Sequence, residues 1–204
     1  MRRILQPHGL WKNNWLNSDR IADVLTPDDL RRDFRRIRSA AVPARMGKSY
    51  ERAIRSTDFA PWIMFITRCV SVKRKHFMDA GGFEERFITY GFEDWELGYR
   101  FHKQGLPFKS VRGIIGFHQE HPSLFRKDDP QLDNLRIFYD IHTSKDAEIS
   151  LICLCHPLKD PNLFKSILRL LAEWKTRKEY KRLGRIMEAA LNRAATAFIY
   201  NFKK

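Results

Sequence analysis

The sequence predicts an α/β chain that ends in a helical tail. Two short runs rich in apolar and β-branched residues, WIMFITRCVSV starting at Trp62 and SVRGIIGFH from Ser110 to His118, read as buried strands. Around them, apolar residues recur at helical spacing behind N-capping residues and ahead of glycines. At 204 residues, with 43% apolar and 13% aromatic content, the chain can bury a core of its own.

The elements follow in order. From Ser18 to Ala41 the pattern is helical: Thr26 offers an N-cap, Pro27 the first helical position, and Asp28 and Asp29 an acidic first turn, before Leu30, Phe34 and Ile37 recur on one face. Arg31, Arg32, Arg35 and Arg36 line the opposite face, as a solvated helix surface or as contacts for phosphate or acidic lipid. KRKHFMDAGGF, from Lys73, predicts a short helical turn ending at Gly81 and Gly82, where left-handed backbone costs little. EDWELGYRFHKQG predicts a helix from Glu93 with Gly105 as its C-cap, so Glu93 and Asp94 fall at a helix N-terminus. Residues 163–204 read as one or two amphipathic basic helices.

The domain reading is threefold: a basic helical lead-in over 1–56, a central segment over 57–160, and the tail over 161–204. The net charge of +14 is unevenly spread. Residues 1–56 hold 13 basic against 6 acidic side chains, residues 163–204 hold 11 against 3, and residues 57–162 hold 14 against 15. The ends therefore fit an acidic or membrane surface, while the middle is electrically balanced. A nucleic-acid partner is not expected, because no recognition motif and no aromatic-basic repeat accompanies the charge. Cys69, Cys153 and Cys155 form neither a disulfide framework nor a zinc quartet and read as reduced thiols of a cytoplasmic chain. No apolar run reaches the roughly 20 residues of a membrane span, and the N-terminal text has no signal-peptide core.

Chemistry concentrates in GGFEERFITYGFEDWELGYRF, Gly81 to Phe101. Carboxylates in a first helical turn complement the helix dipole, worth about 0.3–1 kcal/mol, and by themselves need no other role. The framing of Glu93 and Asp94 by Gly91, Phe92 and Trp95, behind the Gly81-Gly82-Phe83-Glu84 turn, goes beyond capping. The run resembles the acceptor-side segment of family 2 glycosyltransferases, and is similar to the C-terminal domain of the galactosyltransferase and chondroitin-polymerase type, with its GGF[DE] turn and G-[WY]-G-x-E-D-x-[DE]-L block.

The resemblance implies a GT-A fold and inverting transfer of a sugar, probed first with UDP-sugars, to a glycan acceptor. It assigns Asp94 as the base that takes the acceptor's proton and places Glu93 on the acceptor sugar, with Gly91, Phe92, Trp95 and Arg100 around it; Arg100 also fits a loop-holding ion pair. Gly81 and Gly82 are the structural turn. It implies a divalent cation, Mn2+ or Mg2+, on the donor diphosphate, with His118 as ligand and His121 in reserve. Trp62 and Phe83 fit either the core or an acceptor platform.

The resemblance covers about residues 50–160. The roughly 100 residues that would bind the nucleotide and end in an Asp-x-Asp motif are not in this chain, which reads as a partial GT-A fold lacking its N-terminal half. A fragment, a truncation, or a half completed by a partner chain are the three expectations, each with poor binding of nucleotide sugar by this chain alone. An inactive interaction module of the same fold, or a basic protein that binds acidic surfaces or nucleic acid, are the alternatives. The tail is expected to pack on the body or to lie on a membrane surface.

Overall fold

A computed structural model of the chain describes residues 26–32, 35–41, 48–111, 116–118, 131–142 and 146–201. The chain divides into two compact units, residues 1–45 with 113–128 and residues 46–112 with 129–204.

In the first unit, helices α1 (Pro27–Arg32) and α2 (Arg35–Ala40) lie where helical spacing was expected. Thr26 caps α1 reciprocally: its hydroxyl accepts the Asp29 N–H at 3.3 Å, while its own N–H and O–H donate to Asp29 Oδ2 at 2.7 and 2.8 Å. Residues 18–25 and 33–34 of the expected helix lie outside the described residues. Ile37 is buried and Arg31, Arg35 and Arg36 are exposed, so the two faces separate as their residue types require.

The second unit contains α3 (Lys48–Arg55), α4 (Arg74–Asp79), α5 (Glu93–Lys103), α6 (Gln131–Ile141), α7 (Ala147–Ser150), α8 (Pro161–Thr176) and α9 (Lys181–Asn201). No strand occurs among the described residues, which corrects the strand reading of 62–72. That segment forms two 3-10 turns, Pro61–Met64 and Thr67–Cys69, with extended backbone at Ile66 and Val70 on either side of the second. Pro61, Trp62 and Ile63 are all buried in succession, a pattern that period-2 strand geometry would split between opposite faces. The second expected strand, Ser110 to His118, is irregular where it is described, and residues 112–115 lie outside.

The Pro61–Met64 turn wraps α5. A Cβ on Gly98 would sit 2.7 Å from Phe65 Cβ and 3.0 Å from the Trp62 carbonyl, so the close approach needs glycine. Trp62, fully buried, centres an aromatic cluster with Trp95 at 6.1 Å, Tyr99 at 5.6 Å and Phe138 at 6.1 Å between ring centroids. Its indole N–H donates to Glu148 Oε2 at 2.7 Å, satisfying the ring's single polar atom. The α8–α9 hairpin closes the unit. Asp160 caps α8 by accepting the Leu163 N–H at 2.9 Å, Pro161 opens it, and Gly184 lets α9 cross α8 at Trp174 and Lys175. Leu168 and Leu171 of α8 and Leu191 and Ala195 of α9 join the same core as Trp62.

Candidate active site at the start of helix α5

The paired glycines terminate α4. Gly81 and Gly82 take φ of 82° and 74°, and Gly82 N–H reaches back to the Phe77 carbonyl at 3.0 Å in a Schellman closure. Gly105 does the same after α5, with φ of 76° and Leu106 N–H on the Phe101 carbonyl at 3.0 Å. Both ends were legible as glycine stops.

Arg100 joins the two motifs. Its guanidinium forks onto Glu96, with Nε at 2.8 and 3.0 Å and NH2 at 2.7 Å, and also donates to the Ala80 carbonyl and, at 2.6 Å, to the Gly82 carbonyl. Of the two roles offered for Arg100, these bonds make it a clamp that fixes the glycine turn to α5. Glu96 is fully buried and takes a second partner, His142 Nε2, at 2.9 Å. Burial pushes its pKa up, but the hydrogen bonds from His142 and Arg100 outweigh that and hold the carboxyl below its ordinary value.

The loop before α5 is held from α6. Asn134, 1% exposed, donates to the carbonyls of Thr89 at 3.1 Å and Gly91 at 2.7 Å and accepts the Thr89 hydroxyl at 3.0 Å. Gly91 and Phe92 both sit at positive φ, 108° and 72°. For Phe92 this is a strained state that the surrounding contacts must over-determine, and the Asn134 clamp beside it and the ring's contact with Trp95 at 5.2 Å do so. Phe92 and Trp95 are 7% and 6% exposed, and the Trp95 indole donates to the Ile63 carbonyl at 3.1 Å. Both pack into the aromatic core. Trp62 is core as well, whereas Phe83 is exposed and edge-on to Phe77.

This scaffold delivers two carboxylates. Asp94 is partly exposed and its Oδ1 accepts the Thr67 hydroxyl at 2.6 Å. Thr67 lies in the second 3-10 turn, so the segment that reads as strand supplies the group that orients Asp94. Glu93 is half-buried, and its Oε2 is buried with no hydrogen-bond partner among the described residues. Burial first, and the neighbouring Asp94 charge second, raise its pKa. One carboxylate is thus oriented and reachable, and its neighbour holds an oxygen that lacks a donor, a pairing suited to abstracting a proton from a hydroxyl and gripping the molecule that bears it.

His118 is an exposed irregular residue of the first unit, and His121 lies outside the described residues. No group of three or more His, Cys, Asp or Glu side chains converges to hold a metal among the described residues. The ligand set the resemblance implies is therefore not assembled there, and no chemical step is routed through a metal. Thr67, Asn134 and His142 were not singled out by sequence; Asn134 and His142 act across more than forty residues, beyond any local pattern.

The family model described as the N-terminal domain of galactosyltransferase matches residues 58–122. An uncharacterized glycosyltransferase, YfnE, of Bacillus subtilis is 48% identical over 80 residues, 39% of this chain and 20% of that protein. These 65 residues span the clamp, the glycine turn and both carboxylates. They are similar to a segment of known glycosyltransferases. The validoxylamine A glucosyltransferase of Streptomyces hygroscopicus subsp. jinggangensis is 33% identical over 107 residues, 52% of this chain and 22% of the relative. The chondroitin synthase of Escherichia coli is 38% identical over 69 residues, 34% of this chain and 10% of the relative. The chain spans about a fifth of the length of the first of these relatives. No solved structure matches.

Proposed function

We propose that this chain is the acceptor-side part of an inverting family 2 glycosyltransferase of GT-A type, a hexosyltransferase that moves sugar from a UDP-sugar to a glycan or surface-polysaccharide acceptor. The observation that carries the reading is the Glu93–Asp94 pair, held at the start of α5 by Thr67 and Asn134 within the matched segment. Asp94 takes the proton of the acceptor hydroxyl as its oxygen bonds to the anomeric carbon and the nucleoside diphosphate departs from the opposite face. Glu93 accepts a hydrogen bond from the acceptor, which satisfies its unpartnered oxygen. Thr67 holds Asp94 in line, and the Glu96–Arg100 clamp keeps the glycine turn beside it.

The rest of the proposal is coarser. The nucleotide-binding half and the α/β sheet of the GT-A fold would be supplied from elsewhere, for example by a partner chain, and His118 or His121 would be the ligand to any Mn2+ or Mg2+ on the diphosphate. Free Cys69, Cys153 and Cys155 support a reducing, cytoplasmic location. Among the described residues no helix is long and apolar enough to cross a membrane. Relatives named for chondroitin and hyaluronan synthesis make polysaccharide the first acceptor class to try.

A glycan array probed with the labelled chain tests the acceptor reading. Retention on at least one oligosaccharide class, lost in a folded Glu93→Ala variant, is the expected result. Retention that is indifferent to Glu93 would contradict it.

A further inference from the structure

The outward face of α9 is left over by everything above. The helix turns Gly184, Leu191 and Ala195 into the core and exposes Leu183, Ile186 and Tyr200 by 44%, 51% and 64%. At about 100° per residue, Leu183, Ile186, Ala190 and Ala197 share a strip about 60° wide. Arg182 and Arg193 border that strip and Arg185 lies beyond them, all three exposed. No carboxylate among the described residues is paired with these arginines, whereas Lys175 and Arg177 nearby are engaged by Glu188 and Glu173.

We propose that this face of α9 docks on an anionic lipid surface, with Leu183 and Ile186 entering the boundary between headgroups and acyl chains and Arg182, Arg185 and Arg193 on lipid phosphates. Charge complementarity selects that occupant. A second copy would bring the same uncompensated arginines face to face, which is repulsive. A nucleic acid would engage the arginines and leave the apolar strip in water, while a bilayer surface uses both halves of the face. The proposal stands apart from the transfer reading: a chain that docks on lipid and moves no sugar would refute one and leave the other intact.

Vesicle co-sedimentation tests it, using phosphatidylcholine vesicles with and without roughly 30% phosphatidylserine, at about 0.05 M and about 0.5 M salt. The expected result is binding to the anionic vesicles alone, weakened at high salt, and at least about tenfold weaker for Leu183→Ser/Ile186→Ser and for Arg182→Glu/Arg185→Glu. Ile186→Trp should show a blue-shifted emission on binding. Far-UV circular dichroism checks that each variant keeps its helix. Absence of binding to anionic vesicles at low salt overturns the proposal. So does binding that ignores the Leu183/Ile186 change, or a 20-mer RNA held more tightly than the vesicles through the same arginines.

Discussion

The start of α5 and the outer face of α9 are both amphipathic and charged, yet they use charge in opposite ways. On α5, Glu96 and Arg100 turn inward, satisfy each other and His142, and fix a loop; on α9, Arg182, Arg185 and Arg193 turn outward, unpaired with any described carboxylate. Glu93 and Glu96 sharpen the contrast within one turn of α5, since burial acts on both while only Glu96 has charged side-chain donors that outweigh it. A charge pattern alone therefore does not assign a role. Burial and partners do.

The largest expected effect comes from breaking the inward set. Glu96→Ala leaves Arg100 and His142 without their carboxylate in a buried site and should cost about 3–5 kcal/mol in urea denaturation. The same pair sets an acid limit. A carboxyl held below its ordinary value stabilises the fold above the unfolded pKa and loses that contribution as pH falls through the folded one, so Glu96→Gln should flatten the decline in melting temperature below about pH 4.5.

Next, Gly98→Ala forces a Cβ into Phe65 and the Trp62 carbonyl and should cost about 1–3 kcal/mol, measured the same way. Glu93→Gln should act in the opposite direction. A carboxyl whose folded pKa lies above its unfolded value of 4.5 weakens the fold as pH rises through that range, so the variant should melt higher than wild type at neutral pH and converge with it in acid. An equal melting temperature at neutral pH would mean that Glu93 finds a donor in solution. Smallest of all, Ile186→Ser on the outward face should change stability in solution by no more than about 0.5 kcal/mol, because the side chain is already exposed. A large loss there would place that face against the body.

Many helix ends were readable in the sequence because the signals are local: Thr26 as the cap of α1, Gly81, Gly82 and Gly105 as stops, and the acidic pair at the start of α5 all act within a few residues. The strand reading of 62–72 fails for an equally physical reason. A short apolar run carries no period long enough to separate a buried strand from a 3-10 turn wrapped on a helix, and a strand needs a pairing edge that the described residues do not supply. The clamps by Asn134 and His142 were invisible, since a single polar residue far along the chain has no pattern until the fold brings it to the loop. Arg100, Phe92 and Trp95 were found as members of the motif, but their packing could be read only from the structure, because a motif records proximity to chemistry and not which way a side chain faces.

The most direct test of the central claim is the initial rate of sugar transfer from a panel of radiolabelled UDP-sugars to polysaccharide acceptors, for wild type and Asp94→Asn side by side in manganese buffer. Loss of the general base should lower the rate about 10²–10⁴-fold with the fold intact. Equal transfer by the two proteins, at a wild-type rate above the protein-free background, would contradict the assignment of Asp94 and, with it, the reading of the α5 N-terminus as the active site.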